Sequence, residues 1–126
     1  MTKFYDTCAL LELQEKVFDE FFYICDVTLL ELNQIKENKN KTEELRYKTR
    51  NIIRLMRENK GKYHVVVRNC ITKDILLEYG INEPFPDAEI VACAYWVNKN
   101  IRPILFCTYD LLCENLASYM ISLSTE

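Results

Sequence analysis

Residues 21–32 read Phe21-Phe22-Tyr23-Ile24-Cys25-Asp26-Val27-Thr28-Leu29-Leu30-Glu31-Leu32, a strand and the start of a helix back to back. The run Phe21–Cys25 is apolar at every position and does not alternate. It therefore suits a strand covered on both faces, the habit of parallel sheets. Asp26 is placed to cap a following helix that carries Val27, Leu30 and Ile35. Three more β-prone runs, Lys3–Tyr5, Tyr63–Val67 and Pro103–Cys107, are separated from it by segments of helical length. The intervals predict helices at Ala9–Glu20 and Thr42–Asn59, the latter with a core stripe of Leu45, Thr49, Ile52, Ile53 and Met56. Further helices are predicted at Thr72–Tyr79 (stopping at Gly80), at Asp87–Asn98, which is apolar nearly all round, and at Leu111–Ile121. Strands joined by helical crossovers give an α/β fold, a three-layer α/β/α sandwich around a parallel sheet of four or five strands. At 126 residues the expectation is one domain over 1–126.

Composition removes whole classes of chemistry. Two glycines, Gly61 and Gly80, cannot build a glycine-rich phosphate loop or a dinucleotide turn. One histidine, His64, forbids a His-rich zinc site and reads as structural at the start of its strand. Six cysteines form no CxxC pair, and most lie in apolar runs where a thiol behaves as a small hydrophobe. Met1–Asp6 is not a signal peptide and no long apolar run follows, so the expected setting is cytoplasmic, with reduced thiols and no membrane. Tyr47, Tyr63, Tyr79 and Tyr95 are too scattered to form a base-stacking platform and read as packing residues.

Charge is unevenly spread. The chain totals −3, yet residues 36–62 hold ten Lys/Arg against four Asp/Glu. There Arg46, Arg50, Arg54 and Arg57 fall on one helix face beside the apolar stripe. Such a face either tracks phosphates or is simply solvated, helped by pairs such as Glu44–Lys48.

In open α/β sheets, ligands gather outside the carboxyl ends of the strands. Asp6 ends the first strand and Asp110 ends the fourth; Glu31 lies on the helix after the second, and Asp87 opens the helix that leads into the fourth. Each has a structural alternative, as an N-cap for the aspartates or an exposed acid for Glu31. Together they predict one acidic crevice, and crowded carboxylates demand a cation. Hard oxygen donors suit Mg²⁺ or Mn²⁺.

Phe4-Tyr5-Asp6-Thr7, Thr28-Leu29-Leu30-Glu31-Leu32, Asp87-Ala88-Glu89-Ile90-Val91-Ala92-Cys93-Ala94 and Thr108-Tyr109-Asp110 follow one another in an order that resembles the PIN-domain family of metal-dependent ribonucleases. Leu30–Lys36 and Arg50–Leu55 are similar to the PIN domains associated with PhoH-like ATPases. The resemblance covers nearly the full chain. It implies an endoribonuclease that hydrolyses RNA phosphodiesters with Mg²⁺ or Mn²⁺ held by Asp6, Glu31, Asp87 and Asp110. Thr108 would orient a metal ligand or its water, and Arg46, Arg50, Arg54 and Arg57 would bind RNA. The partners it implies are RNA, a protein antitoxin or an associated ATPase domain, and a second copy of the chain. Cys8, Tyr109 and Glu114 depart from the residues common in the family, and many relatives add a strand after the last helix. The competing readings are an inactive RNA- or protein-binding module and an aspartyl phosphotransferase. The second lacks its motif, because position 8 is Cys where a dehalogenase-like phosphatase needs Asp.

Overall fold

Phe22, Tyr23, Ile24 and Cys25 are all buried, as a strand covered on both faces requires. The computed structural model describes residues 1–121. Its four strands are β1 (Thr2–Tyr5), β2 (Phe22–Cys25), β3 (Tyr63–Val66) and β4 (Ile104–Cys107). They are all parallel, in the order β3-β2-β1-β4. The chain builds outward from β1 through β2 to β3 and then returns to the other side of β1 with β4. The strand order therefore reverses between β1 and β4, where an open α/β sheet leaves a crevice.

Six α-helices flank the sheet: α1 (Thr7–Leu13), α2 (Asp26–Glu37), α3 (Glu43–Glu58), α4 (Cys70–Glu78), α5 (Pro86–Asn100) and α6 (Leu111–Ile121). Side chains alternate along each strand, and the two sets feed separate cores. Tyr5, Phe22 and Ile24 pack with Leu10, Leu32, Ile52 and Met56 from α1, α2 and α3. Phe4, Tyr23 and Phe106 pack with α4, α5 and α6, where Val91, Ala94 and Val97 of α5 are fully covered. The all-round apolar character of α5 follows from its place under α4, α6 and the sheet together. None of the helices among the described residues is long and apolar enough to cross a membrane.

Most predicted elements are found with shifts of one or two residues at their ends, and α6 has the predicted limits. Gly80, at φ 81°, follows α4 and supplies the left-handed residue expected at a helix end. The expected helix Ala9–Glu20 is different. It is broken at Gln14 into α1 and a 3₁₀ stretch, Gln14–Asp19. Gln14 adopts φ 51°. Its side-chain amide donates to the carbonyls of Leu11 (2.7 Å) and Lys48 (3.1 Å) and accepts from Asn51 (2.8 Å). The break is thus held by α3, a tertiary partner that helical periodicity does not encode. Two caps also differ. Asp26 is the first residue of α2 and Cys25 occupies the cap position, because the Asp26 carboxylate is engaged with Arg68. At α5, Phe85 occupies the cap position and Pro86 the first turn, so Asp87 is inside the helix. His64 is exposed, edge-on to Tyr23 with ring centroids 6.1 Å apart.

Gln14 carries two opposing contributions that substitution separates. Gln14→Ala loses three hydrogen bonds, two of them to α3, yet keeps the strained backbone, and should lower unfolding stability by about 2 kcal/mol. Gln14→Gly loses the same bonds but relieves the positive φ, and should be less destabilising than Gln14→Ala by about 1 kcal/mol. Denaturant unfolding of both variants measures the order.

Candidate metal centre

At the carboxyl end of β1 the chain turns directly into α1, which places Asp6 at the helix cap and at the sheet edge at once. Its Oδ1 accepts the Ala9 backbone N–H at 2.8 Å, and its Oδ2 accepts the Thr108 hydroxyl across the β1–β4 junction. The same Thr108 oxygen accepts the Asp110 backbone N–H at 2.9 Å. Asp110 in turn caps α6 by accepting the Cys113 N–H at 3.0 Å. Glu31, on α2, is held at Oε1 by the Thr7 hydroxyl at 2.5 Å, and the Thr7 and Thr28 hydroxyls lie 3.0 Å apart. Asp87, in the first turn of α5, makes no cap hydrogen bond. All four acids line one cavity of about 250 Å³, with Cys8 at its wall and Leu45 of α3 at its margin.

For Asp6 and Asp110 the capping role and the shared crevice are both real, whereas Asp87 is no cap and Glu31 is half-buried. Asp6 and Asp110 cap helices and still line the cavity: Asp110 caps through Oδ1 alone, and although Thr108 takes the second oxygen of Asp6, each carboxylate oxygen has two lone pairs. Thr108 bridges them as a hydroxyl that donates to one acid and fixes the backbone of the other. Among the described residues no Lys or Arg forms an ion pair with Asp6, Glu31, Asp87 or Asp110.

Burial and mutual repulsion disfavour the charged forms. Burial raises the Asp6 carboxyl despite the opposing bonds from Thr108 and Ala9, with Asp87 adding repulsion. Glu31 is raised by burial, which outweighs the Thr7 bond, and by Asp87, Asp6 and Asp110. Asp87 is raised by burial and by Asp110. Several oxygen donors with raised pKa values and no cation from the chain fit a hard divalent ion, which would take the place of the protons.

A second cluster escaped the sequence reading, which treated Cys25 and Cys93 only as small hydrophobes. The sulfurs of Cys25 and Cys93 and a carboxylate oxygen of Asp26 lie within 4.8 Å of one another, a set that could hold a divalent cation. These residues come from β2, α2 and α5, and their sequence separation leaves no local pattern to find. The chemistry differs from that of the acidic cavity. Cys25 lies 3.4 Å from the Cys93 sulfur and 3.3 Å from Asp26 Oδ1, and both thiols are fully buried. The contact with Cys93 and burial push the Cys25 thiol well above its usual range. Asp26 is held below the ordinary carboxylate range, because its bonds to the Arg68 backbone, Cys25 and the Arg68 guanidinium outweigh burial. Soft sulfur ligands of this kind select thiophilic metals over Mg²⁺ or Mn²⁺.

The arginine face is present on α3 beside the buried stripe of Thr49, Ile52 and Met56. Arg46 pairs with Glu43 at 2.8 Å, and Arg54 with Glu58 at 3.0 Å. Arg50 and Arg57 are exposed and form no ion pair among the described residues. Lys48 lies 3.7 Å from Glu44, the predicted pair, and also 3.6 Å from Glu12.

The raised carboxyls fix a sign. A carboxyl whose pKa rises on folding stabilises the protein when protonated, and that contribution is lost as pH rises through the raised value. The lowered Asp26 acts only below the ordinary carboxylate range of about 4. Without metal, the melting temperature should fall as pH is raised from about 4, the ordinary carboxylate range, to about 7. Mn²⁺ should raise the melting temperature more at the higher of these pH values, and Asp6→Asn should shrink both effects. A melting temperature that is flat with pH and unmoved by Mn²⁺ would remove the cavity as a metal centre.

No curated protein and no solved structure matches this chain. The family model described as the PIN domain matches residues 4–120, a span that takes in all four acids and Thr108. The order β3-β2-β1-β4, the acids gathered at its carboxyl edge and this match agree, and the chain belongs to the PIN domain family.

Proposed function

We propose that this chain is a divalent-metal-dependent endoribonuclease that hydrolyses phosphodiester bonds of single-stranded or structured RNA. The observation that carries the reading is the convergence of Asp6, Glu31, Asp87 and Asp110 on one cavity without a basic partner among the described residues. Asp6, Asp87 and Asp110 would hold Mg²⁺ or Mn²⁺, with Glu31 as a further ligand, and the ion would supply a lowered water pKa and offset charge on the phosphate.

The protein's own groups do the rest. Thr108 fixes Asp6 through Oδ2, so that carboxylate cannot rotate away from the crevice. Thr7 fixes Glu31 through Oε1. This leaves Oε2 either to ligate the ion or to accept the proton of the attacking water. Water oxygen then bonds to phosphorus, the bond to the leaving ribose oxygen breaks, and that oxygen is protonated from solvent. Leu45 at the cavity margin brings the start of α3 beside the site. Arg50 and Arg57 lie further along that helix and would hold the strand by its phosphates, contributing affinity without sequence information.

The test is cleavage of single-stranded RNA with EDTA, Mg²⁺ or Mn²⁺. Asp6→Asn should lower the metal-dependent rate by about a thousandfold while RNA binding persists. Metal-independent RNA binding by a wild type that never cleaves would instead favour the inactive binding module. Thr108→Val keeps the shape and removes the hydroxyl, and should weaken Mn²⁺ binding by about 10- to 100-fold. Replacing Arg50 or Arg57 by Gln should reduce the salt dependence of RNA binding, by about 0.7 in the log–log slope per arginine. An unchanged slope would place the RNA on another face.

A further inference from the structure

Beside the acidic crevice, along the same edge of the sheet, a cavity of about 500 Å³ opens between the end of β3, α4 and the loop before α5. We propose that it receives the unpaired nucleobase adjacent to the scissile phosphate and gives the nuclease a base preference. The proposal rests on the nuclease reading above and adds to it a subsite for substrate recognition.

The cavity's chemistry favours a base over an anion. Arg68 reaches it already engaged: its Nε donates to Asp26 Oδ2 at 3.2 Å and its Nη1 to Glu89 Oε2 at 3.1 Å. Its backbone N–H also donates to Asp26 Oδ1, at 3.1 Å. With Lys73, the walls carry two cations against two carboxylates, so a phosphate gains no net attraction. The α4 N-terminus offers no anion site either, because Asn69 and Thr72 close it with a reciprocal capping box. What remains is a wall of directional groups beside the exposed Pro84. The Asn82 amide offers both a donor and an acceptor, Lys73 adds donors, and Pro84 supplies surface for a ring face. Unpaired bases are recognised in that way, by edge hydrogen bonds and by packing of the ring.

Two helices tie this cavity to the acids. On α2, Asp26 lines one site and Glu31 the other, about 7.5 Å of helix rise apart. On α5, Glu89 and Asp87 divide in the same way within the first turn. A strand whose phosphate lies among the acids therefore has a neighbouring nucleotide within reach of the cavity. The Asp26–Arg68–Glu89 bridge joins α2, α5 and the end of β3, which holds that wall in register with the crevice.

Two measurements test it. The first is cleavage of a random-sequence single-stranded RNA pool in Mn²⁺, with the cut ends sequenced. Wild type should show a base preference next to the cut, and Asn82→Ala should weaken it about tenfold. The second is titration of metal-free wild type with AMP, GMP, CMP and UMP, followed by backbone amide NMR. Base-dependent shifts at Asn69, Lys73 and Asn82 are expected. Cleavage with no base preference, or with a preference that Asn82→Ala leaves unchanged, overturns the proposal, as do shifts indifferent to the base. If no RNA is cut in either metal, the nuclease reading fails separately. The titration then decides the cavity alone, and absence of base-selective shifts overturns it.

Discussion

The hydrogen bond from Thr108 to Asp6 spans the two strands at which the sheet reverses its order. A carboxylate there is almost wholly buried, and both of its oxygens accept hydrogen bonds. Burying a carboxylate is costly even when it is hydrogen-bonded. The fold accepts that cost at a point where the two cores on either side of the sheet are independently well packed. Around Asp6 the other acids are set by rigid elements: Asp110 by its cap on α6, Glu31 by Thr7, and Asp87 by the first turn of a helix buried along its length. The result is an electrostatic imbalance that a hard cation would relieve.

The chain therefore carries two donor clusters of opposite character. The acidic cavity offers oxygen donors of the kind that suit a hard ion. The Cys25–Asp26–Cys93 group has two buried sulfurs, and its partly exposed carboxylate also bonds to Arg68. That second group sits where β2 passes into α2, and through Arg68 it bears on the wall of the larger cavity. One region thus combines a structural bridge with the boundary between two cavities on the sheet's edge.

The departures from the family pattern lie around the crevice and leave the four acids in place. Cys8 lines the cavity wall and is exposed, Tyr109 is 62% exposed between Thr108 and Asp110, and Glu114 lies exposed on α6. Arg46 shows a division of labour on α3. It pairs with Glu43 through one guanidinium nitrogen, while its buried Nε has no acceptor among the described residues.

Sequence alone determined the features that are periodic or local. The unbroken apolar run Phe21–Cys25 announced a strand covered on both faces, the stripe on Thr42–Asn59 announced the buried side of α3, and residues at strand ends marked where acids would gather. Those signals are legible because a strand or helix repeats its burial every two or 3.6 residues. The tertiary structure decided what depends on distant contacts. It broke the first helix at Gln14 through Lys48 and Asn51, moved Asp26 from cap to ion pair through Arg68, and brought Cys25 against Cys93. It also made Asp6 and Asp110 serve as caps and cavity acids together. A side chain with two oxygens can satisfy a neighbour in sequence with one and a neighbour in space with the other, and only the packed chain specifies the second.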